Sequence, residues 1–156
     1  RARALRDGGE TDRRIFSPLS DLAAALGLAQ LSRYSSFLVR RREIGARYLA
    51  ALSRAPMLLR PAWHLADGML FRFPLRLPGG LERWSGFFAR HGVAVRRGVD
   101  ELLHRSLGLP DDAFPEATHA FDTTVSVPLH PSMSAEEIQR CVGALSALDV
   151  MTDIGH

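Results

Sequence analysis

The 156 residues suffice to bury a core, and a hydrophobic share of 46% is that of a globular protein. A formal charge of +3 admits nucleic-acid binding, but the arginines are spread from Arg1 to Arg140. Their one cluster, Arg40 to Arg42, turns about 100° per residue on a helix, so it reads as a solvated face and no nucleic-acid partner is expected. All twenty basic residues are arginine, so no side chain can form a Schiff base with an aldehyde cofactor or serve as a phosphate-loop lysine. Asparagine is absent too, in keeping with GC-rich coding DNA. The lone Cys141 excludes an internal disulfide and a cysteine-based zinc cage. No run is apolar enough for a membrane span and the start lacks a signal-peptide pattern, so a cytoplasmic location and no membrane partner are expected.

Arg1 to Arg6 reads like the end of a helix that began earlier, which makes the sequence read as a piece of a longer chain. Asp7 to Arg14 is a loop by its glycines and charges. Ser17-Pro18 supplies a helix start, and the residues from Pro18 to Leu31 are apolar nearly all round. This predicts a helix buried on most sides, with Gly27 in close contact with another element. A small domain covers only part of such a helix, so Leu19, Leu22, Leu26 or neighbouring alanines are expected to be exposed or covered by another chain. Ser32 to Ser36 is a predicted break. A second helix follows to about Arg54, turning Tyr34, Phe37, Leu38, Ile44, Tyr48 and Leu52 inward, and Ala55-Pro56 ends it.

After a loop over Pro61 to Gly68, Met69 to Leu77 alternates as a strand, with Pro74 hinting at an edge or bulge. Pro78-Gly79-Gly80 turns the chain into a helix carrying Leu81, Trp84, Phe87 and Phe88, stopped by Gly92. Val93 to Arg97 is a short strand, and residues 98–113 are irregular with a helical turn at Glu101 to Arg105. Phe114-Pro115 opens a helix to about Asp122, Thr124 to Val127 is a strand, and Pro128 to Ser132 is a loop. Ser134 and Glu137 form a capping box for a last helix with the stripe Ile138, Cys141, Val142, Leu145 and Leu148. The tail after Asp149 reads as frayed. The expected fold is α+β: a small, largely antiparallel sheet with helices packed on it, preceded by two helices. Residues 1–17 are read as a connecting segment, 18–149 as the domain and 150–156 as the tail.

The six histidines show no pair at helical ligand spacing, so no metal site is expected. Cys141 lies on an apolar stripe and reads as core. Asp111-Asp112 and Glu136-Glu137 suit a loop and a helix start, while Gly8-Gly9 and Gly79-Gly80 are turn glycines without phosphate-loop spacing. His104 is the one histidine that reads as a candidate pocket residue.

Ordered motifs carry the reading further. Ser20 to Leu31, SDLAAALGLAQL, followed by Arg40 to Tyr48, RRREIGARY, resembles the DegT/DnrJ/StrS sugar aminotransferases. Leu70 to Leu75, Gly92-Val93 through Leu103-His104, and Phe114 to Ala117 followed by Val127 to Ser134 agree with that family in order and spacing. The resemblance implies the C-terminal domain of a fold-type I enzyme that uses pyridoxal phosphate (PLP) to move an amino group, commonly from glutamate, onto a keto-sugar nucleotide. It implies a large N-terminal domain holding PLP and its lysine, and a homodimer with active sites between subunits. This chain, without a lysine, is expected neither to hold PLP nor to be active alone. Carried over by position, Ser17 belongs to the loop that reaches the neighbouring subunit's cofactor, and His104 to the substrate side. Two positions depart from the family. Phe16 stands where an asparagine contacts the PLP phosphate, and Gly98-Val99-Asp100 stands where the family writes HYP near the substrate. Those departures keep open a non-catalytic, aminotransferase-like dimerisation or regulatory module.

Overall fold

The structure, a computed structural model, describes residues 20–52, 68–69 and 71–153. The readings placed on Arg1 to Arg14, on Phe16, Ser17-Pro18 and Leu19, on Ala55-Pro56 and on 61–67 lie outside the described residues.

Helix α1 spans Asp21–Ala51. Ser20 caps it: its Oγ accepts the backbone N–H of Ala23 at 3.2 Å. One continuous helix therefore stands where two were expected. The serines that suggested a break turn back onto the helix instead: Ser32 Oγ donates to the carbonyl of Ala29 at 2.9 Å and Ser36 Oγ to that of Arg33 at 2.8 Å. With their hydroxyls satisfied locally and no Gly or Pro in the stretch, nothing stops the ladder.

The chain divides after Ser36 into two compact units. In the first, the predicted burial is not found. Leu22 is 82% exposed, and Leu26, Leu28 and Leu31 are exposed too. A β-carbon added at Gly27 would meet nothing within 4 Å, so the close contact expected there is not found among the described residues. Apolar composition says that a face gains from being covered, not what covers it; the exposure of Leu22 and Leu26 is the other outcome the sequence anticipated.

The second unit holds the sheet. Strands β1 (Phe73–Arg76), β2 (Arg96–Arg97) and β3 (Thr124–Val127) form one antiparallel sheet in the order β1-β3-β2. Helix α2 (Gly80–Arg90) lies between β1 and β2 in sequence; α3 (Leu103–Ser106), a 3-10 turn at Asp111–Ala113 and α4 (Pro115–Thr123) lead into β3, and α5 (Ala135–Asp153) closes the described chain. That last helix runs to Asp153, past the point where fraying was expected.

The register explains the packing. Phe73 pairs with Val127 and Leu75 with Val125, so four buried apolar residues share one face of the sheet. Onto that face pack Ile44 and Tyr48 of α1, Phe87 and Phe88 of α2, and Ile138, Cys141, Leu145 and Leu148 of α5. Each such fully buried side chain contributes about 1.5–3 kcal/mol. Tyr48 meets Phe73 edge to face at 5.2 Å, and its hydroxyl donates to the carbonyl of Pro128 at 2.9 Å. Burial pushes the Tyr48 phenol far above its ordinary value and also raises the Cys141 thiol, as fits a core cysteine.

The capping box forms as expected: Glu137 N–H donates to Ser134 Oγ at 3.1 Å, and Ser134 N–H to the Glu137 carboxylate at 2.8 Å. These bonds hold the Glu137 carboxyl below its ordinary range. Gly92, with φ of +69°, follows α2 in the left-handed conformation predicted for its stop.

Candidate functional site

The opposite face of the sheet carries Pro74, Ser126 and Arg96, which the register sets in one row across the three strands. A cleft of about 610 Å³ opens here, lined by Met69, Phe71, Arg72, Pro74, Ser126 and the segment Gly98-Val99-Asp100, with Gly68 at its edge. Its walls are chiefly apolar, and Arg72, Asp100 and Ser126 supply the polar groups. Gly98, Val99 and Asp100 lie together on this cleft. Gly98 lies close to its neighbour: a β-carbon there would stand 2.8 Å from Thr124 Cγ2, so one of the two would have to shift.

A second cleft of about 290 Å³ adjoins it and shares Phe71, Arg72 and Ser126. Arg41, Arg96, His130, Ala94 and the run from Val127 to Leu129 complete its lining. Arg41 corrects the reading of the Arg40 to Arg42 run as a merely solvated face. Arg40 does pair with Glu43 on the surface, at 3.2 Å. Arg41 turns inward instead, its Nη1 donating to the carbonyls of Phe71 at 3.1 Å and Leu129 at 3.3 Å. Consecutive residues on a helix face different ways, so a three-residue run sends one member toward the sheet. Arg72 and Arg96 were not singled out by spacing. The alternation through β1 and β2 was the available signal, since it puts arginines beside Ser126 once the register is known.

His104 lines neither cleft. It is buried, stacked on the Phe114 ring at 4.6 Å, with Nε2 2.9 Å from Asp111 Oδ1. Asp111 is also gripped by Arg105 through two hydrogen bonds of 2.9 and 2.8 Å. The Arg105 guanidinium, and secondly His104, pull the Asp111 carboxyl down to about 2. Arg105 and Arg97 stand over the Phe121 ring at 4.9 and 4.7 Å, and Arg97 is ion-paired with Glu82. This cluster ties α2, α3 and α4 to β2. Ser17, the other carried-over residue, lies outside the described residues.

The residues here do not fit PLP. The chain has no lysine to hold its aldehyde, and the larger cleft sets a single arginine, a carboxylate and apolar walls where a phosphorylated pyridine needs a nest of donors. Among the described residues, no three His, Cys, Asp or Glu side chains converge as a metal site, and no helix is long and apolar enough to cross a membrane.

Comparison with known proteins decides the family. The DegT/DnrJ/EryC1/StrS aminotransferase family matches residues 16–146. The chain belongs to that family. It is 30% identical over 146 residues to the spore coat polysaccharide biosynthesis protein SpsC of Bacillus subtilis (strain 168), a match covering 80% of this chain and 35% of SpsC. It is also 30% identical over 124 residues to the dTDP-4-dehydro-2,3,6-trideoxy-D-glucose 4-aminotransferase of Saccharopolyspora spinosa, covering 77% and 32% of the two chains. The crystal structure of the aminotransferase TlmJ from Streptoalloteichus hindustanus superposes with a TM-score of 0.71 at 29% identity, over 90% of this chain and 39% of TlmJ. The chain thus spans about a third of the length of the curated relatives that it matches. The sheet and its helices are the fold of the corresponding part of a family aminotransferase.

Proposed function

We propose that this chain is the C-terminal small domain of a PLP-dependent aminotransferase that acts on a keto-sugar nucleotide in sugar biosynthesis, and that it is not active alone. The reading rests on the larger cleft: family membership supplies the chemistry, and Gly98-Val99-Asp100 brings the family's substrate-side segment onto an open, ligand-sized hollow. The names of the B. subtilis and S. spinosa relatives, a polysaccharide biosynthesis protein and a dTDP-sugar aminotransferase, support a nucleotide sugar as acceptor. PLP and its lysine belong, in this reading, to a large N-terminal domain, reached through residues 1–17. The family resemblance assigns Ser17 to the loop that meets a partner subunit's cofactor in a cytoplasmic homodimer. The work left to this chain is binding. Met69, Phe71 and Val99 offer apolar area to a sugar ring, and Asp100 and Ser126 offer hydrogen bonds that orient it.

The test joins this chain to the large domain and supplies PLP, glutamate and a dTDP-4-keto-sugar. Formation of 2-oxoglutarate is expected, and Asp100→Ala should raise KM for the sugar severalfold at an unchanged Tm. Turnover with unchanged KM in that variant would remove the cleft from the substrate path. On the present chain, PLP followed by borohydride should leave no stoichiometric side-chain adduct by mass spectrometry. The replacement of the polar motif by Gly98-Val99-Asp100 favours a second reading, a non-catalytic dimerisation or regulatory module. An intact dimer without transfer to any keto-sugar nucleotide would establish that one.

A further inference from the structure

We infer that Phe121 is a positioning residue for the larger cleft: its ring holds both ends of the segment that sets Val99 and Asp100 on the cleft wall. The inference rests on the proposed acceptor site and names what fixes its geometry. Arg97 stands immediately before that segment, at the end of β2, and Arg105 stands just after it, on α3. Their guanidinium carbons lie 4.7 and 4.9 Å from the centroid of the one Phe121 ring, on α4. The stretch 98–104 is therefore bridged at both ends by a single side chain.

Two like charges beside one ring repel unless each is neutralised. Here each has its own carboxylate. Arg97 is ion-paired with Glu82 of α2, and Asp111 holds Arg105 through hydrogen bonds of 2.9 and 2.8 Å. The ring thus lies against two cations whose charge is already met, and it fixes the chain between them. The same end of the segment also reaches the cleft's arginine, since Arg72 Nη1 donates to the carbonyl of Arg97 at 3.0 Å.

The segment does not hold itself. Among the described residues, Val99, Asp100 and Glu101 make no backbone hydrogen bond. Val99 and Leu103 are exposed, so the core does not anchor them. Gly98 is seated against Thr124, and His104 is buried against Phe114. Each of those contacts holds one end, whereas Phe121 meets the residues that flank both. A segment tied at both ends to a common ring keeps Val99 and Asp100 within the small displacement that orienting a substrate tolerates.

NMR backbone relaxation of the 156-residue chain tests this. In Phe121→Leu, which keeps an apolar side chain but loses the ring, the order parameters of Val99 to Leu103 should fall from about 0.85, that of rigid backbone, to below about 0.6. Those of β3 and α5 should stay as they are, and Phe121→Tyr should restore the parent values. Arg105→Gln, at the surface, removes one cation without a cavity and should loosen the same residues to a smaller extent. In the enzyme joined to its large domain, Phe121→Leu should raise KM for the keto-sugar nucleotide by about fivefold, the effect of two exposed cation–π contacts. The kcat and the KM for glutamate should not move. Unchanged order in 99–103, an equal loss of order in β3 and α5, or a lowered Tm without local loosening would each overturn the inference. The two readings also separate. Amino transfer with the KM for the sugar unmoved by Phe121→Leu overturns the positioning role and leaves the proposed function standing. Local loosening that Phe121→Tyr repairs, in a chain whose joined enzyme transfers no amino group, supports the hold of Phe121 on the segment and overturns the proposed function.

Discussion

Gly98 lies against the side chain of Thr124 with no space between them for a β-carbon, which would stand 2.8 Å from Cγ2 and 3.2 Å from Cβ. The two residues make one fitted contact at the rim of the larger cleft. Thr124 has a β-branched side chain with few rotamers on a strand, so it yields little to such a β-carbon. Gly98→Ala should therefore destabilise by about 1–3 kcal/mol, as overpacking does. Combining it with Thr124→Ala should recover part of that loss in a double-mutant cycle of thermal unfolding. Strictly additive effects would show that the contact is loose.

Asp111 gives the fold a pH dependence of known sign. Its folded value, about 2, lies below that of a free carboxyl, chiefly through Arg105 and secondly through His104. The stabilisation is thus complete above the ordinary carboxylate range and is lost as pH falls from about 4 toward 2. Asp111 is 46% exposed, so the effect is modest and weakened by salt. The Tm of Asp111→Asn should be lower than that of the parent chain at pH 7, and the two should converge near pH 2. Parallel curves would remove this cluster from the acid response.

The Tyr48 hydroxyl ties α1 to the loop after β3 through the Pro128 carbonyl, and also approaches Met133 Sδ at 3.7 Å. Tyr48→Phe keeps the edge-to-face contact with Phe73 but leaves that carbonyl without this donor. Denaturant unfolding should show a loss of about 1–2 kcal/mol with an unchanged m value. Tyr48→Ala should cost about 3–5 kcal/mol, because a cavity is added.

Local chemistry was legible in the sequence wherever it acts between near neighbours. Ser134 and Glu137 announced their helix, Thr124 to Val127 was read residue for residue, and the stripe from Ile138 to Leu148 named one wall of the core. Misreadings came where a residue type has two outcomes. Serine at Ser32 and Ser36 breaks a helix if its hydroxyl bonds elsewhere, and continues one if it bonds back, as it does here. The smaller cleft was not legible because Arg41, Arg72 and Arg96 come from a helix and two strand regions that only the register brings together. His104 drew attention as a histidine, but its partners Asp111 and Phe114 are set by a turn that no spacing rule describes.

Two glycines predict opposite responses to the same substitution. Gly80 has φ of +52°, and a β-carbon there would lie 1.9 Å from the carbonyl oxygen of Asp122 at the end of α4. That obstacle is backbone, so it cannot rotate away, and the left-handed φ adds strain for any L side chain. Helices α2 and α4 approach each other through this glycine. Gly80→Ala should cost about 3 kcal/mol or more, or prevent folding. Gly27 lies in mid-helix on the exposed part of α1, and a β-carbon there meets nothing within 4 Å. Alanine at Gly27 loses no contact, and the unfolded chain gives up freedom that glycine alone has. Gly27→Ala should therefore stabilise α1 by about 0.5–1 kcal/mol. Circular dichroism and amide exchange should show higher helicity and slower exchange between Asp21 and Ser36, with the core around Tyr48 unchanged. Destabilisation by Gly27→Ala would mean that another surface presses on this helix.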